Sequence, residues 1–259
     1  MARLHTSSLM LGFYRAALPL LGLLLLVVLW WSSLTVFGKG SLMALRFSPT
    51  QTFDAISTLW TQSDIVHHAV ASLRRVGLGL LLALGVGVPI GLLVGSVRFF
   101  DHLTSSTFQL LRMISPLSWM PIAVMVLGVG EAPVVFLIAF AAIWPIILNV
   151  SAGIRSIDSS WIALADSLGS NHFEKLLFVK LPAIASHLLT GIRVAIGIIW
   201  VVLVPAEMLG VNAGLGYFIL DTRDRMAYGE LMATIVLIGL IGFVLDWIAR
   251  RAYDLWSDT

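Results

Sequence analysis

Motifs for phosphate or acyl chemistry are the first features to test in this 259-residue sequence. The segment TVFGKGS, residues 35–41, is the nearest approach to a phosphate-binding loop. It has Gly40 where serine or threonine must follow the lysine, it lacks the first glycine at the required distance, and it follows an apolar run rather than a strand. No HExxH or GxSxG motif occurs in the sequence. We therefore expect a protein that is not an enzyme and binds no cofactor of its own.

Histidine and cysteine are the residue types to examine for a metal site. The sequence has no cysteine, which excludes disulfides, thiolate zinc sites and cysteine nucleophiles. His67 and His68 are adjacent, but no third ligand lies near them in the sequence. We interpret them as an interfacial pair and expect no metal site.

The stretch ADSLGSNHFEKLLFVKLP, residues 165–182, carries polar and charged side chains between two long apolar runs. A first short helix is predicted here, because Asp158, Ser159 or Ser160 can cap its start. Gly169 is placed to end that helix in a left-handed conformation. Its apolar face would be formed by Trp161, Leu164 and Leu168.

A second short helix is predicted directly afterwards. Asn171 followed by Glu174 is a capping-box pattern, and Pro182 is expected to stop the helix. Two interpretations of the whole element remain open. In one, the element lies in the headgroup layer with Lys175 and Lys180 near phosphates. In the other, its apolar side chains insert into a groove of a partner protein.

The apolar runs on both sides of residues 165–182 are expected to lie in a bilayer. Hydrophobic residues make up 59% of the chain and charged residues only 12%, about half the charged fraction of an average soluble domain. About 20 apolar residues cross the hydrocarbon core as a helix. We therefore predict an all-α, polytopic integral membrane protein with a single transmembrane domain over residues 1–259. Its six predicted spans are Ala16–Phe37, Ala71–Val97, Phe108–Val129, Pro133–Val150, Leu188–Leu209 and Leu231–Ala249.

The connections and the orientation follow from local composition. GEAP, residues 130–133, predicts a tight hairpin between the third and fourth spans, and the glycines of Val76–Gly95 favour close helix packing. A short surface helix is predicted at Thr50–Trp60, and the charged segment Gly214–Glu230 is predicted to be a second outer element. Nine Lys and Arg residues lie in segments on the side of the N-terminus and six on the other side. This bias predicts that both termini and the loop of residues 151–187 are cytoplasmic.

A family resemblance begins in that loop. From Ala163 to Pro182 the sequence reads A-L-A, three residues, Gly169, nine residues, Val179, one residue, and Leu-Pro. This resembles the EAA loop of ABC-importer permeases, which reads E-A-A, three residues, Gly, nine residues, Ile, one residue, and Leu-Pro. Ala163 stands where that family usually has glutamate, so the resemblance implies docking by shape and apolar contact more than by that charge. The docking residues that it implies are Ala163, Ala165, Asp166, Gly169, Phe173, Glu174, Leu176, Leu177, Val179, Leu181 and Pro182.

The resemblance extends over about Pro49 to Arg251 and narrows the subfamily. Blocks that begin at Ala71 (ASLRRV), Leu110, Leu189 and Gly214 are similar to the permeases of nitrate, sulfonate, taurine and bicarbonate importers. This resemblance implies a type I importer fold in a bacterial inner membrane. It further implies a permease homodimer, two cytoplasmic ABC ATPase subunits that bind ATP and Mg²⁺, and an external substrate-binding protein. The chain has no basic run, so a nucleic-acid partner is not expected.

A small anion carried by alternating access is the function that the resemblance implies. A self-contained, ion-coupled secondary transporter is the alternative, but it would need acidic residues or histidine in mid-span. The two prolines of ISPLSWMP, residues 114–121, lack backbone N–H groups, so the carbonyls that lose these partners must face a cavity or a partner helix. This would place the segment on the substrate path; a packing kink is the other interpretation. Arg112 can attract an anion there or extend to the headgroups. Glu207 would repel an anion, so gating or a pair with Arg74, Arg75 or Arg193 is expected instead. The predicted path residues are Arg112, Ser115, Pro116, Ser118, Trp119, Pro121 and Glu207.

Overall fold

The computed structural model of the protein describes residues 18, 21–36, 46–62 and 64–257, without the side chains of Gln62 and Ser257. These ranges are helical almost throughout and contain no strand. The fold is all-α, as predicted. The helices are α1 (Leu21–Val36), α2 (Pro49–Gln62), α3 (Ile65–Ser96), α4 (Arg98–Met113), α5 (Met120–Leu127), α6 (Glu131–Arg155), α7 (Ser159–Ser167), α8 (Ala185–Gly210), α9 (Leu215–Asp224) and α10 (Tyr228–Ser257). Short helical turns also occur at Pro116–Trp119, His172–Glu174, Lys175–Lys180 and Leu181–Ala183.

The chain divides into two compact units. The first comprises residues 1–63 and 222–235, and it includes the predicted surface helix, which the structure places at Pro49–Gln62. In this unit the rings of Phe47 and Tyr228 lie 5.1 Å apart. The second unit comprises residues 64–221 and 236–259 and contains the hydrophobic core, which is built mainly from α3, α6 and α8.

Four of the helices are long and apolar enough to cross a membrane. They are α3, α6, α8 and α10, and each coincides with one of the predicted spans, although Val97, the predicted end of the second span, lies one residue beyond α3. The first predicted span, Ala16–Phe37, is described only as the shorter apolar helix α1, and its two ends lie outside the described residues. The count of six spans therefore remains a prediction.

The third predicted span, Phe108–Val129, is wrong as one continuous helix. The structure breaks it at Ile114 and Ser115, and the helices on either side are bent by 88°. Ser115 has an extended backbone because the ring of Pro116 disfavours helical geometry in the residue before it. Pro121 lies in the first turn of α5, where its missing N–H costs no helical hydrogen bond.

Glycines join α3 closely to α6, as the glycine-rich sequence predicted. A Cβ on Gly79 would lie 2.5 Å from Ile138, and one on Gly95 would lie 2.7 Å from Ile154. Between them, Gly87 and Gly91 meet α6 in the same way. The sequence numbers rise together along both helices, so α3 and α6 run parallel. The segment α4–α5 must therefore return the chain from one end of this pair to the other.

The remaining spans fix which residues share an end of the second unit. Gly191 packs on Asn149 and Gly210 on Val134, so α8 runs antiparallel to α6. Arg193 pairs with Asp246, and the Trp200 indole donates to the carbonyl of Ile238, so α10 runs antiparallel to α8. We call the end at Ser96, Arg155 and Ala185 the loop end. The end at Ile65, Glu131 and Gly210 is the far end.

Adding one methyl group at the α3–α6 contact should destabilise the protein. In Gly91→Ala the new Cβ would lie 2.7 Å from Cβ of Val150 and 3.0 Å from the carbonyl oxygen of Ile147. Overpacking of this kind costs about 1–3 kcal/mol. We expect a lower thermal unfolding temperature, measured by tryptophan fluorescence in detergent. Gly85→Ala is the control, because no atom lies within 4 Å of its Cβ position; equal unfolding temperatures would contradict the close packing.

Candidate functional site

The connection from α6 to α8 begins with a capped helix. The Asp158 carboxylate accepts from the backbone N–H of Ser160 at 2.9 Å, which identifies Asp158 as the cap of α7 among the three predicted candidates. This hydrogen bond holds the pKa of Asp158 below its usual value. Gly169 has φ 76°, so the predicted left-handed end of α7 is confirmed. The chain turns sharply at this glycine.

The second predicted helix of the connection also has its expected start. Asn171 Oδ1 accepts from the Glu174 N–H at 2.9 Å, and Glu174 Oε2 accepts from the Asn171 N–H at 2.8 Å. This is the predicted capping box. The helix end was predicted wrongly, because Pro182 does not stop it. Residues Lys175–Lys180 form π-helical turns, and Pro182 sits in the first turn of the following helix, where a missing N–H is tolerated.

Apolar side chains of this connection project away from the described protein. The exposed fractions are 61% for Trp161, 76% for Leu168, 69% for Phe173 and 72% for Phe178. Leu164 and Leu177 are also exposed. A polar connection with this many unburied large apolar groups marks an interaction site. We call these six residues the exposed apolar surface.

The other predicted docking residues differ in burial. Ala165 is buried, and Leu176, Val179 and Leu181 are half-buried, so they hold the turns of the connection together. Ala163, Asp166, Glu174 and Pro182 are exposed. Phe178 was not predicted, because in a regular α-helix it would not lie on the same face as Phe173, Leu176 and Leu177. The π-helical turns change that register.

Ion pairs and hydrogen bonds fix this connection to the spans. Lys175 pairs with Asp166, which ties the second helix back to α7. Lys180 Nζ donates to Ser96 Oγ at 3.1 Å and so joins the connection to the last residue of α3. Beside it, Arg155 of α6 pairs with Asp101 of α4 at 2.7 Å. A force on the exposed apolar surface would therefore reach α3 through Lys180, and α6 and α8 through the chain itself.

Two cavities meet at Arg112, in the last turn of α4. One, of about 240 Å³, lies between α4, α6 and the end of α3; the other, of about 380 Å³, lies against α6 and α8 and includes Pro116. Trp144 lines both cavities. Among the described residues Arg112 has no hydrogen-bond or ion-pair partner. Its charge is therefore free to act on a solute in either cavity.

The other predicted path residues are not brought together at these cavities. Ser115, Ser118 and Pro121 are exposed near the bend and line neither cavity. Trp119 is half-buried, and its indole N–H donates to no described atom. Only Arg112 and Pro116 of the predicted set share a cavity.

Glu207 lies at the far end and is fully buried, with 0% of its surface exposed. Arg75 Nη1 donates to its Oε1 at 2.6 Å, and Ser72 Oγ donates to the carboxylate at 2.8 Å. The backbone N–H of Gly216 donates to Oε2 at 2.9 Å. Arg75 is thus the partner among the three predicted arginines. We call Ser72, Arg75 and Glu207 the buried ion-pair cluster.

The cluster holds the turn between α8 and α9. Arg75 Nη1 also donates to the Ala213 carbonyl at 2.7 Å, and the Leu215 N–H donates to Ser72 Oγ at 2.9 Å. A Cβ on Gly214, which has φ 130°, would lie 2.5 Å from the Glu207 carboxyl carbon. Only glycine therefore allows the turn to approach the carboxylate so closely.

His68 belongs to this same turn and was not predicted to. Its Nδ1 accepts from the Gly214 N–H at 3.0 Å, and its ring stacks on Tyr217 at 5.9 Å. The spacing of adjacent histidines in the sequence carries no sign of this role, since the partner lies 146 residues away. In the described part of the chain no group of three His, Cys, Asp or Glu residues could hold a metal ion.

Comparison with known proteins places the chain among transport proteins. The family model described as "Binding-protein-dependent transport system inner membrane component" matches residues 87–255. A putative ABC transporter permease protein of Methanocaldococcus jannaschii is 37% identical over 74% of this chain and 72% of the relative. A nitrate import permease protein of Leptolyngbya laminosa is 35% identical over 72% of this chain and 67% of the relative. A bicarbonate transport system permease protein of Synechococcus elongatus is 35% identical over 70% and 67%.

Solved structures agree on the fold. A bacterial ABC transporter for the import of the acidic polysaccharide alginate superposes with a TM-score of 0.66, at 14% identity, over 94% of this chain and 97% of that one. An inward-facing methionine ABC transporter superposes with a TM-score of 0.63, at 15% identity, over 77% of this chain and 98% of that one. At these identities the likeness concerns the fold alone.

Proposed function

Because this chain belongs to the family of binding-protein-dependent transport system inner membrane components, we propose that it forms the path of a small anion through an ABC importer. It is a permease subunit of the type that imports nitrate, bicarbonate or taurine. In the proposed mechanism a separate ATPase subunit, which binds ATP and Mg²⁺, drives the path to open alternately to the two sides of the membrane. The chain itself has no catalytic role.

The exposed apolar surface is the observation that carries this proposal. Its six large side chains stand on a connection that is continuous with α6 and α8 and hydrogen-bonded to α3, which is the arrangement needed to pass a movement from a partner to the membrane domain. The predicted docking residues, from Ala163 to Pro182, would then seat in a groove of the ATPase. The alternative of a headgroup-bound loop explains the apolar groups but not their rigid attachment.

Sidedness follows from the charges at the two ends. The loop end carries Arg98, Arg155, Lys175, Lys180 and Arg250, and we assign it to the cytoplasm of a bacterial cell with both termini on that side. The far end then meets the external substrate-binding protein. A second copy of the permease would complete the path, as a homodimer.

The anion path would run along the bend between α4 and α5. Arg112 lines both cavities there and Pro116 lines one of them, and the residues around the bend are Ser115, Ser118, Trp119 and Pro121. Glu207 would act on the outer gate through its pair with Arg75 rather than contact the anion. A secondary transporter would need acidic residues or histidine in mid-span, whereas Glu207 lies at the far end and its carboxylate accepts from Arg75, Ser72 and Gly216.

Uptake into liposomes tests the proposal. The permease is reconstituted with its ATPase and binding protein. Anion accumulation is then measured with ATP supplied either inside or outside the liposomes. We expect accumulation that needs the ATPase and stops when vanadate is added. Uptake that continues without the ATPase, or that follows an imposed proton gradient, would contradict the importer and favour the secondary transporter.

A further inference from the structure

We propose that the cavity between α4 and α6 is a binding site for a monovalent oxyanion, and that Asp101 sets the charge of the ligand it accepts. The proposal deepens the transport function above and rests on it for the presence of an anion in the path. It does not rest on the exposed apolar surface or on the buried ion-pair cluster.

Three hydrogen-bond donors line the cavity from one face of α4. Ser105, Gln109 and Arg112 are separated by four and three residues, so their side chains follow one another along about 10 Å of helix. Among the described residues none of the three has a hydrogen-bond or ion-pair partner. Gln109 and Arg112, one turn apart, are placed to donate to the same small anion.

The opposite wall supplies an apolar surface. Trp144, Ile147 and Leu148 of α6 face these donors across the cavity. Low polarity on one side strengthens the attraction between an anion and a guanidinium, because less water screens it. The volume of about 240 Å³ lies below the roughly 300–1,000 Å³ of sites for drug-sized ligands. A small ion with part of its hydration shell therefore suits the space.

The end of the cavity nearest the connection is electrically neutral. Asp101 accepts from Arg155 at 2.7 Å, and the other terminal nitrogen of Arg155 donates to Ser151 Oγ at 2.9 Å. With Asp101 and Arg155 cancelling each other, the lining has one net positive charge, that of Arg112. A monoanion such as nitrate, bicarbonate or a sulfonate is balanced by this charge. A dianion would keep one uncompensated charge beside the apolar wall of the cavity, where less water is present to screen it.

Asp101 is therefore the residue that determines valence. Asp101→Asn leaves the shape nearly unchanged and releases the Arg155 guanidinium, so the cavity gains a second positive charge. Dianion binding should rise relative to monoanion binding. Arg155→Gln has the reverse effect: the free Asp101 carboxylate then cancels Arg112, and binding of every anion should fall.

Methanesulfonate and sulfate form a matched pair of probes, because both are sulfur oxyanions and they differ in charge. Binding of each, labelled with radioactive sulfur, is measured on the purified permease–ATPase complex in nanodiscs without the binding protein. We expect the natural protein to prefer methanesulfonate. Arg112→Gln should weaken the binding of methanesulfonate about tenfold or more, because one charge-assisted hydrogen bond is lost. Arg98→Gln, an exposed position at the start of the same helix, is the control and should leave binding unchanged.

Two results overturn the site. One is methanesulfonate binding that Arg112→Gln does not weaken. The other is a ratio of sulfate binding to methanesulfonate binding that is the same in Asp101→Asn and in the natural protein. Size-exclusion profiles of all variants separate these results from misfolding, and Arg155→Gln gives a second test if Asp101→Asn is poorly folded. If uptake needs the ATPase but binding ignores Arg112, the site is wrong and the importer stands. If Arg112-dependent binding is found but uptake does not need the ATPase, the site stands and the importer is wrong.

Discussion

Phe173→Glu abolishes ATP-driven uptake and leaves a folded, membrane-inserted permease: this is the expected result at the exposed apolar surface. The Phe173 side chain is 69% exposed, so the substitution should not disturb the fold. In an apolar groove of the ATPase the new carboxylate would be buried without a partner, which costs about 3–5 kcal/mol. That cost corresponds to at least a hundredfold weaker association.

Co-purification of the ATPase with a tagged permease measures this effect, together with uptake by the reconstituted importer. Phe173→Leu is the matched control, because it keeps an apolar group of similar reach, and it should retain both. Aspartate at Leu177 should act like glutamate at Phe173. Normal co-purification and uptake with Phe173→Glu would show that the surface meets lipid headgroups rather than the ATPase.

Backbone geometry gives the same surface a second requirement. Gly169 has φ 76°, whereas proline fixes φ near about −65°, so Gly169→Pro cannot keep the turn between α7 and the following helix. The apolar side chains on the two sides of the turn would then no longer form one surface. Loss of uptake with normal membrane insertion is the expected outcome here too.

Arg75→Met should produce the largest loss of stability in the second unit. Arg75 and Glu207 expose 2% and 0% of their side chains, and the change leaves the carboxylate buried without its cation. Breaking a buried ion pair from one side costs about 3–5 kcal/mol. Thermal unfolding in detergent, followed by tryptophan fluorescence, measures the change. Replacing both residues with apolar ones, in Arg75→Met/Glu207→Leu, should recover part of the loss because no charge then stays buried.

Arg223→Gln is the control for this comparison. Arg223 pairs with Asp224 at 2.9 Å, but both side chains are more than half exposed, and such pairs contribute about 0–1 kcal/mol. Its unfolding temperature should therefore remain close to that of the natural protein. Equal shifts for Arg75→Met and Arg223→Gln would mean that the cluster is accessible to water in the membrane.

Local signals in the sequence predicted much of the connection and little of the clusters. The Asn171–Glu174 capping box and the left-handed Gly169 depend on residues within a few positions of one another, so pattern alone identifies them. The bend at Ser115 was signalled by Pro116, yet the apolar composition on both sides favoured one long span. Hydropathy averages over a window and does not register a single residue without an N–H.

Long-range contacts account for most of what was not predicted. Glu207 had three possible arginine partners in the sequence, and the choice of Arg75 depends on the parallel packing of α3 and α6 with α8 against them. His68 joins the Gly214 turn across 146 residues. The free donors Ser105 and Gln109 look like the ordinary polar face of an amphipathic helix until the cavity beside them is seen.

The glycine contacts between α3 and α6 make the two helices a single stiff beam. From Gly79 to Gly95 the beam is about 24 Å long, and no layer of flexible side chains lies between the helices to allow sliding. One end of the beam carries Ser96 and Arg155 and the other lies beside Arg75, so we expect a tilt imposed at the first end to move the second as well. The break at Ile114 and Ser115 lies outside the beam, so under the proposed mechanism we expect the segment α4–α5 to bend there while the beam stays rigid.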